Sequence, residues 1–142
     1  MHRFACVILV DRRGWLLLQE RDEHALIDPD RWGMVGGHVD DGEDFEPAAY
    51  RELAEETGIV LAPPALTLWR ELEVFHEAYG TRDPVRVYAA ATDLTDADVA
   101  CHEGRQIVFV EPAAARALPK SRSAELAVPT FLESDLYRSL TT

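Results

Sequence analysis

The stretch GGHVDDGEDFEPAAYRELAEETGIV, residues 36–60, decides how this chain is read. Asp44 stands where a helix N-cap belongs, and Pro47 falls in the first turn, where a missing N–H costs nothing. Phe45, Ala49 and Leu53 recur every four residues as an apolar stripe, and Gly58 follows as a C-terminal stop. The spacing predicts a helix over residues 45–57. Glu52, Glu55 and Glu56 then stand at i, i+3 and i+4, so their carboxylates share one face. Like charges so spaced weaken a lone helix by roughly 0.2–0.5 kcal/mol per pair. One reading is a solvated acidic face. The other is a site for a hard divalent cation, because magnesium and manganese take oxygen ligands and keep waters for a substrate phosphate.

Working outward, the segment from Gly37 to Ile59 carries eight acids against one arginine, a net of −7 out of −12 for the whole chain. That acidity argues against binding a nucleic-acid polymer, which needs a basic face. The chain's 142 residues suit a single domain, 1–142, and 47% apolar residues exclude a disordered acidic tail. No apolar run approaches the roughly 18 residues of a membrane helix, so no membrane association is expected. The run Phe4 to Val10 is followed at once by Asp11, Arg12 and Arg13, so no secretory signal is expected. Cys6 and Cys101 form no metal or redox motif. They read as reduced thiols of a cytoplasmic protein.

The flanks are mostly strands. Phe4 to Val10 reads as a buried strand, and Trp15 to Leu18 as a second after a turn at Arg13-Gly14. Trp32 to Val35 reads as a short third strand stopped by Gly36-Gly37. Leu66 to Phe75 and Val85 to Ala91 read as strands joined by a loop around Glu77 to Pro84, and Ile107 to Val110 as another. A short helix is expected after Pro112. A final helix is expected from Thr130, which has capping-box spacing to Glu133, with Leu132, Leu136 and Leu140 following at intervals of four. The pattern is α+β, a mixed sheet with few helices.

From Gly37 the segment reads G-x5-E-x7-R-E-L-x-E-E-x-G-I, through Glu43, Arg51, Glu52, Leu53, Glu55, Glu56, Gly58 and Ile59. This resembles the signature of the Nudix hydrolase family at every fixed position. Family members commonly carry a proline before the double glycine, where this chain has Val35. The resemblance implies an α/β/α sandwich with a mixed, curved sheet. It also implies metal-dependent hydrolysis of a nucleoside diphosphate linked to another moiety, nucleoside triphosphates included. Carried over, Glu52, Glu55 and Glu56 hold Mg2+, or Mn2+, with the Gly36 carbonyl. Arg51 orients a glutamate of the cluster, Glu43 supports by hydrogen bonding, and Gly37 and Gly58 allow the tight loop and the helix exit. The acidity fits an anionic substrate only with metal, since bound cations invert the local field.

A general base is still required. Many relatives draw a further acid from a later loop, a role that Glu103 fits as catalytic residue or metal ligand. Glu55 or Glu56 is the alternative, acting on a metal-bound water. His38, beside the double glycine, is a candidate for the phosphate site. Trp32, Phe75 and Tyr79, in or near loops, are candidates to stack on a base. Two substrate markers known in the family, a proline and a tyrosine about sixteen and eighteen residues past the signature, are not met here. Val74, Phe75, His76 and Glu77 occupy those regions. The compact length leans towards small free nucleotides, including modified nucleoside triphosphates. ADP-ribose or a nucleotide sugar is the alternative, as is a nucleotide-binding module without turnover. An acidic interaction protein is a third reading, which leaves the Gly and Arg spacing unexplained. A homodimer is compatible with the resemblance alone.

Overall fold

A computed structural model describes residues 2–142. Six strands form one mixed sheet: β1 (Phe4–Val10), β2 (Leu16–Glu20), β3 (Trp32–His38), β4 (Thr67–His76), β5 (Thr81–Ala91) and β6 (Gln106–Val110). Their order is β4-β5-β1-β3-β2-β6, and β1 runs parallel to β5 while the other ladders are antiparallel. All seven residues of β1 are buried, as a strand covered on both faces requires. Ala5, Val7 and Leu9 face α1 (Phe45–Thr57), packing with Ala49 and Leu53. Phe4, Cys6, Ile8 and Val10 face the other way, towards Ala127, Val128 and Phe131 of α3 (Arg122–Leu132). The α2 helix (Pro112–Ala117) and α4 (Asp135–Leu140) complete the element list with a 3-10 turn, Asp96–Asp98. A sheet between helices is the expected sandwich.

Three expectations change. The β3 strand does not stop at Gly36-Gly37 but runs through them, pairing Gly36 with Cys6 and Gly37 with Ala5. Their missing side chains permit this: a Cβ on Gly36 would stand 2.3 Å from the Ala5 carbonyl oxygen. The expected Glu77 to Pro84 loop is a tight turn over residues 77–80, closed by N–H groups of Tyr79 and Gly80 donating to the His76 carbonyl. Asp83 and Pro84 belong to β5. No helix begins at Thr130. Thr130 sits in the last turn of α3, its hydroxyl bonded to the Leu126 carbonyl. Ser121 caps α3 and Ser134 caps α4, so the leucine spacing spans a break between two helices.

The β4–β5 hairpin holds a buried hydrogen-bonded pair, His76 and Asp83. Asp83 is fully buried and accepts from His76 Nδ1 at 2.8 Å, the His2 N–H at 2.9 Å and the Thr81 hydroxyl at 2.9 Å. Burial alone would raise its pKa, but the bonds from His76, the His2 N–H and Thr81 outweigh it and hold Asp83 below the usual carboxylate value. A carboxyl whose folded pKa is depressed contributes stability above its unfolded pKa of about 3.9, and that contribution is lost as pH falls through the folded value. Asp83→Asn is therefore expected to unfold at lower urea than wild type at pH 7. The gap should close progressively below about pH 4. Urea titrations across pH check it, and a gap independent of pH would contradict it.

Candidate active site

The helix α1 has the predicted bounds, because its caps and period agree. Gly58 ends it in the left-handed region at φ 76°, its N–H bonded to the Ala54 carbonyl. Asp44 occupies the N-cap position without a side-chain cap bond. The buried stripe differs from expectation. It contains Ala48, Ala49, Leu53, Glu56 and Thr57, with Phe45 only partly buried. Glu56 is thus not on a solvated face: it is 3% exposed. Its Oε2 accepts from the Gly36 N–H at 3.0 Å and its Oε1 from Gln19 Nε2 at 3.3 Å.

Glu52 is half-buried and lies over the other glycine: a Cβ on Gly37 would stand 2.8 Å from its carboxyl carbon. Burial first, then the nearby Glu103 and Glu52, push the Glu56 carboxyl up to about 9. Burial likewise raises Glu52, against the lowering hydrogen bond from Arg51. Two neighbouring carboxyl groups whose ionisation is opposed first by burial suit a cation that restores both charges.

Arg51 ties this cluster together. Its Nε and Nη2 bind Glu43 Oε2 and Oε1, each at 2.9 Å, as a two-pronged fork. Its Nη1 reaches Glu52 at 3.0 Å and Glu55 at 3.1 Å, and Nη2 also donates to the His38 carbonyl. The Arg51 bonds, with the Asp40 N–H, hold the Glu43 carboxyl down at about 2. Glu43 therefore anchors the arginine and loop instead of facing the cavity. Arg51→Lys keeps the charge and loses the fork. It is expected to cost about 2 kcal/mol of stability and roughly tenfold in turnover. Urea melts and initial rates check both; wild-type values in each would contradict the role.

The Glu103 segment is docked on the C-terminal end of α1. The Ala100 and His102 N–H groups donate to the Thr57 and Glu56 carbonyls, and His102 Nδ1 lies 2.7 Å from the Glu55 carbonyl oxygen. His102 is thereby occupied by the helix end. Gln19, 2% exposed, bridges Glu56 and the Glu103 carbonyl, the latter at 2.8 Å. Among the described residues, no three His, Cys, Asp or Glu side chains converge tightly enough to enclose an ion as they stand. Glu55 is the outlier, with its carboxylate drawn to Arg51 and 58% exposed.

A cavity of about 420 Å3 opens beside this cluster. Glu52, Gly36, Gly37 and Glu103 line one part, and Phe4, His38, His76 and Tyr79 another. Burial lowers the His38 pKa, as do the neighbouring His2 and His76. Two expected stacking residues lie elsewhere. Trp32 packs against the α3-side core, and Phe75 lines an adjoining hollow that shares Leu26, Ile27 and His76 with the cavity. Trp32 shares a strand face with Met34, which belongs to the same core, so its ring packs there. Phe75 points away from His76 because neighbours in a strand alternate.

Arg21, Gln19, His76 and Asp83 escaped the sequence reading. Arg21 lines the cavity, its Nε bonded to the Ile27 carbonyl, and makes no ion pair among the described residues. The readable signal for Gln19 was a lone amide inside the buried run Leu16 to Leu18 and its continuation.

The description NUDIX domain fits residues 1–130. The chain is 36% identical over 138 residues to dihydroneopterin triphosphate diphosphatase of Escherichia coli K12, covering 86% of this chain and 85% of that protein. Among solved structures, E. coli dihydroneopterin triphosphate pyrophosphohydrolase superposes with a TM-score of 0.71 at 26% identity, over 92% of this chain and 94% of that one. The NUDIX domain of Shewanella oneidensis NrtR, solved with ADP ribose, gives a TM-score of 0.75 at 19% identity, over 92% and 86%. The last likeness speaks to fold alone. With its sheet order, its glycine-cradled glutamates and a family match across most of its length, this chain belongs to the Nudix hydrolases.

Proposed function

We propose that this pyrophosphohydrolase acts as a single domain on a small free nucleoside triphosphate or a pterin analogue of one, using Mg2+ held at Glu52 and Glu56. The observation that carries it is Glu52, set over Gly37 on the wall of a ring-lined cavity, with the buried Glu56 one turn away and bonded to the Gly36 N–H. Hydrolases of this family depend on a divalent metal. Glu52, Glu56 and the adjoining Gly36 backbone would hold it, with Glu103 on the cavity wall as a further oxygen donor and Glu55 as another once freed from Arg51. When bound, the ion polarises a phosphoryl oxygen and lowers the pKa of a water.

The protein's own groups do the rest. Arg51 and the Gly36 N–H fix the carboxylates. Glu103, exposed and docked beside Glu56, takes the proton of the attacking water. Arg21, which makes no ion pair among the described residues, steadies the phosphate chain across the cavity. The pterin option rests on the E. coli relative's name and its near-complete overlap. A second reading, ADP-ribose or a nucleotide sugar, is favoured by the polar side chains of Ser121 and Ser123 on the cavity wall.

A panel of nucleoside triphosphates, dihydroneopterin triphosphate, ADP-ribose and nucleotide sugars, assayed with Mg2+ and Mn2+, tests this. Highest kcat/KM on a triphosphate with pyrophosphate released is the expected result. Preference for ADP-ribose or a nucleotide sugar would move the assignment to the second reading.

A further inference from the structure

The His76–Asp83 pair makes no hydrogen bond to Glu52, Glu56 or Glu103 among the described residues. His76 is 5% exposed and lines the cavity. Its Nδ1 is taken by Asp83 at 2.8 Å, and its Nε2 makes no hydrogen bond among the described residues. No buried side-chain nitrogen or oxygen lacks a partner among those residues, so Nε2 reaches open space. Asp83, ionised and holding three donors, requires a proton on Nδ1. A neutral imidazole so fixed offers Nε2 as an acceptor. Around it stand flat rings: Phe4 at 4.6 Å and Tyr79 at 6.3 Å between centroids, with His38 4.4 Å from Phe4. Tyr79 is itself braced by the His2 ring at 3.8 Å. The cavity volume lies within the range of small-molecule sites.

We propose that His76, oriented by Asp83, is a specificity-determining residue: its Nε2 accepts a hydrogen bond from an N–H or amino edge of a flat nitrogen heterocycle, purine or pterin, seated against Phe4 and Tyr79. This deepens the function proposed above and rests on it for the rest of the substrate. Asp83 acts through His76 as a positioning residue. The arrangement gives the buried imidazole an acceptor of fixed direction, which discriminates more sharply than apolar contact does.

The experiment has two arms. In the first, wild-type protein with 15N-labelled histidine is titrated with adenosine, guanosine, neopterin and ribose 5-phosphate, at millimolar concentration. Saturable movement of the His76 Nε2 resonance with a purine or with neopterin, and none with ribose 5-phosphate, is expected. Which ring moves it distinguishes purine from pterin. No movement with any ring, or equal movement with ribose 5-phosphate, would overturn the proposal. In the second, His76→Phe is assayed on the best triphosphate of the panel. KM should rise about tenfold or more while kcat stays within about threefold. Unchanged KM would overturn it, as would a fall in kcat alone. If the wild type hydrolyses nothing in the panel, the proposed activity fails by itself, and the titration, which needs no turnover, still decides the role of His76.

Discussion

Glu56→Gln is expected to lower kcat by about 10^3 or more while leaving the protein folded and melting, without metal, at or above the wild-type temperature. The two halves have one cause. Glu56 is buried beside Glu52 and Glu103, so its ionisation is opposed by burial first and by both neighbours next. A carboxyl whose folded pKa is raised to about 9 favours folding fully only below its unfolded pKa, and that contribution shrinks as pH rises towards 9. At pH 7 without metal the folded protein keeps a proton on Glu56 that the unfolded chain gives up, a cost the amide avoids. The amide retains an oxygen for the Gly36 N–H, now 3.0 Å from Oε2. It cannot supply an anionic oxygen to a cation. Initial rates with Mg2+ and thermal melts in a chelator check the pair of outcomes. A variant that loses activity because it unfolds would contradict this account, as would one with wild-type rate.

Gly37→Ala is the second large effect. The Gly37 backbone is ordinary for any residue, so alanine brings no backbone strain. Its Cβ would stand 2.8 Å from the Glu52 carboxyl carbon and 2.9 Å from each carboxyl oxygen. Only the far end of a flexible side chain has to move, so stability should change by less than about 1 kcal/mol. The end that moves is the carboxylate that would hold metal. Turnover should fall by about 10^2, with a higher metal concentration needed for half-maximal rate. Gly36→Ala makes the contrast. There the Cβ meets backbone at 2.3 Å and φ is 147°, so unfolding should accompany the loss. Equal melting temperatures for the two variants would contradict this division between site and scaffold.

What could be read from sequence depended on how many local rules agreed. The α1 helix had a glycine stop, a proline in the first turn and a four-residue apolar period, and all pointed to the same bounds. The β1 strand was legible because burial on both faces gives an unbroken apolar run. The same rules hid Glu56. Counting charges along a helix face places it with solvent, whereas the sheet and the 100–104 segment close over it. Asp83 beside Pro84 has the composition of a turn, yet it is a strand residue whose carboxylate is satisfied by groups on either side. Those partners are set by strand register, which residue types do not reveal. The last turn of α3 and all of α4 read as one helix because Leu132, Leu136 and Leu140 keep a period of four across the break, where Ser134 caps anew.

We propose that water hydrolyses a phosphoric anhydride beside Glu52 and Glu56 only with a divalent cation in place. The most direct measurement is pyrophosphate release by wild-type protein from its best triphosphate, after metal is stripped by chelation and then restored stepwise. No release without metal, recovery that saturates with Mg2+ or Mn2+, and no recovery in Glu56→Gln are expected. Release that persists unchanged in excess chelator, or recovers equally in that variant, would contradict it.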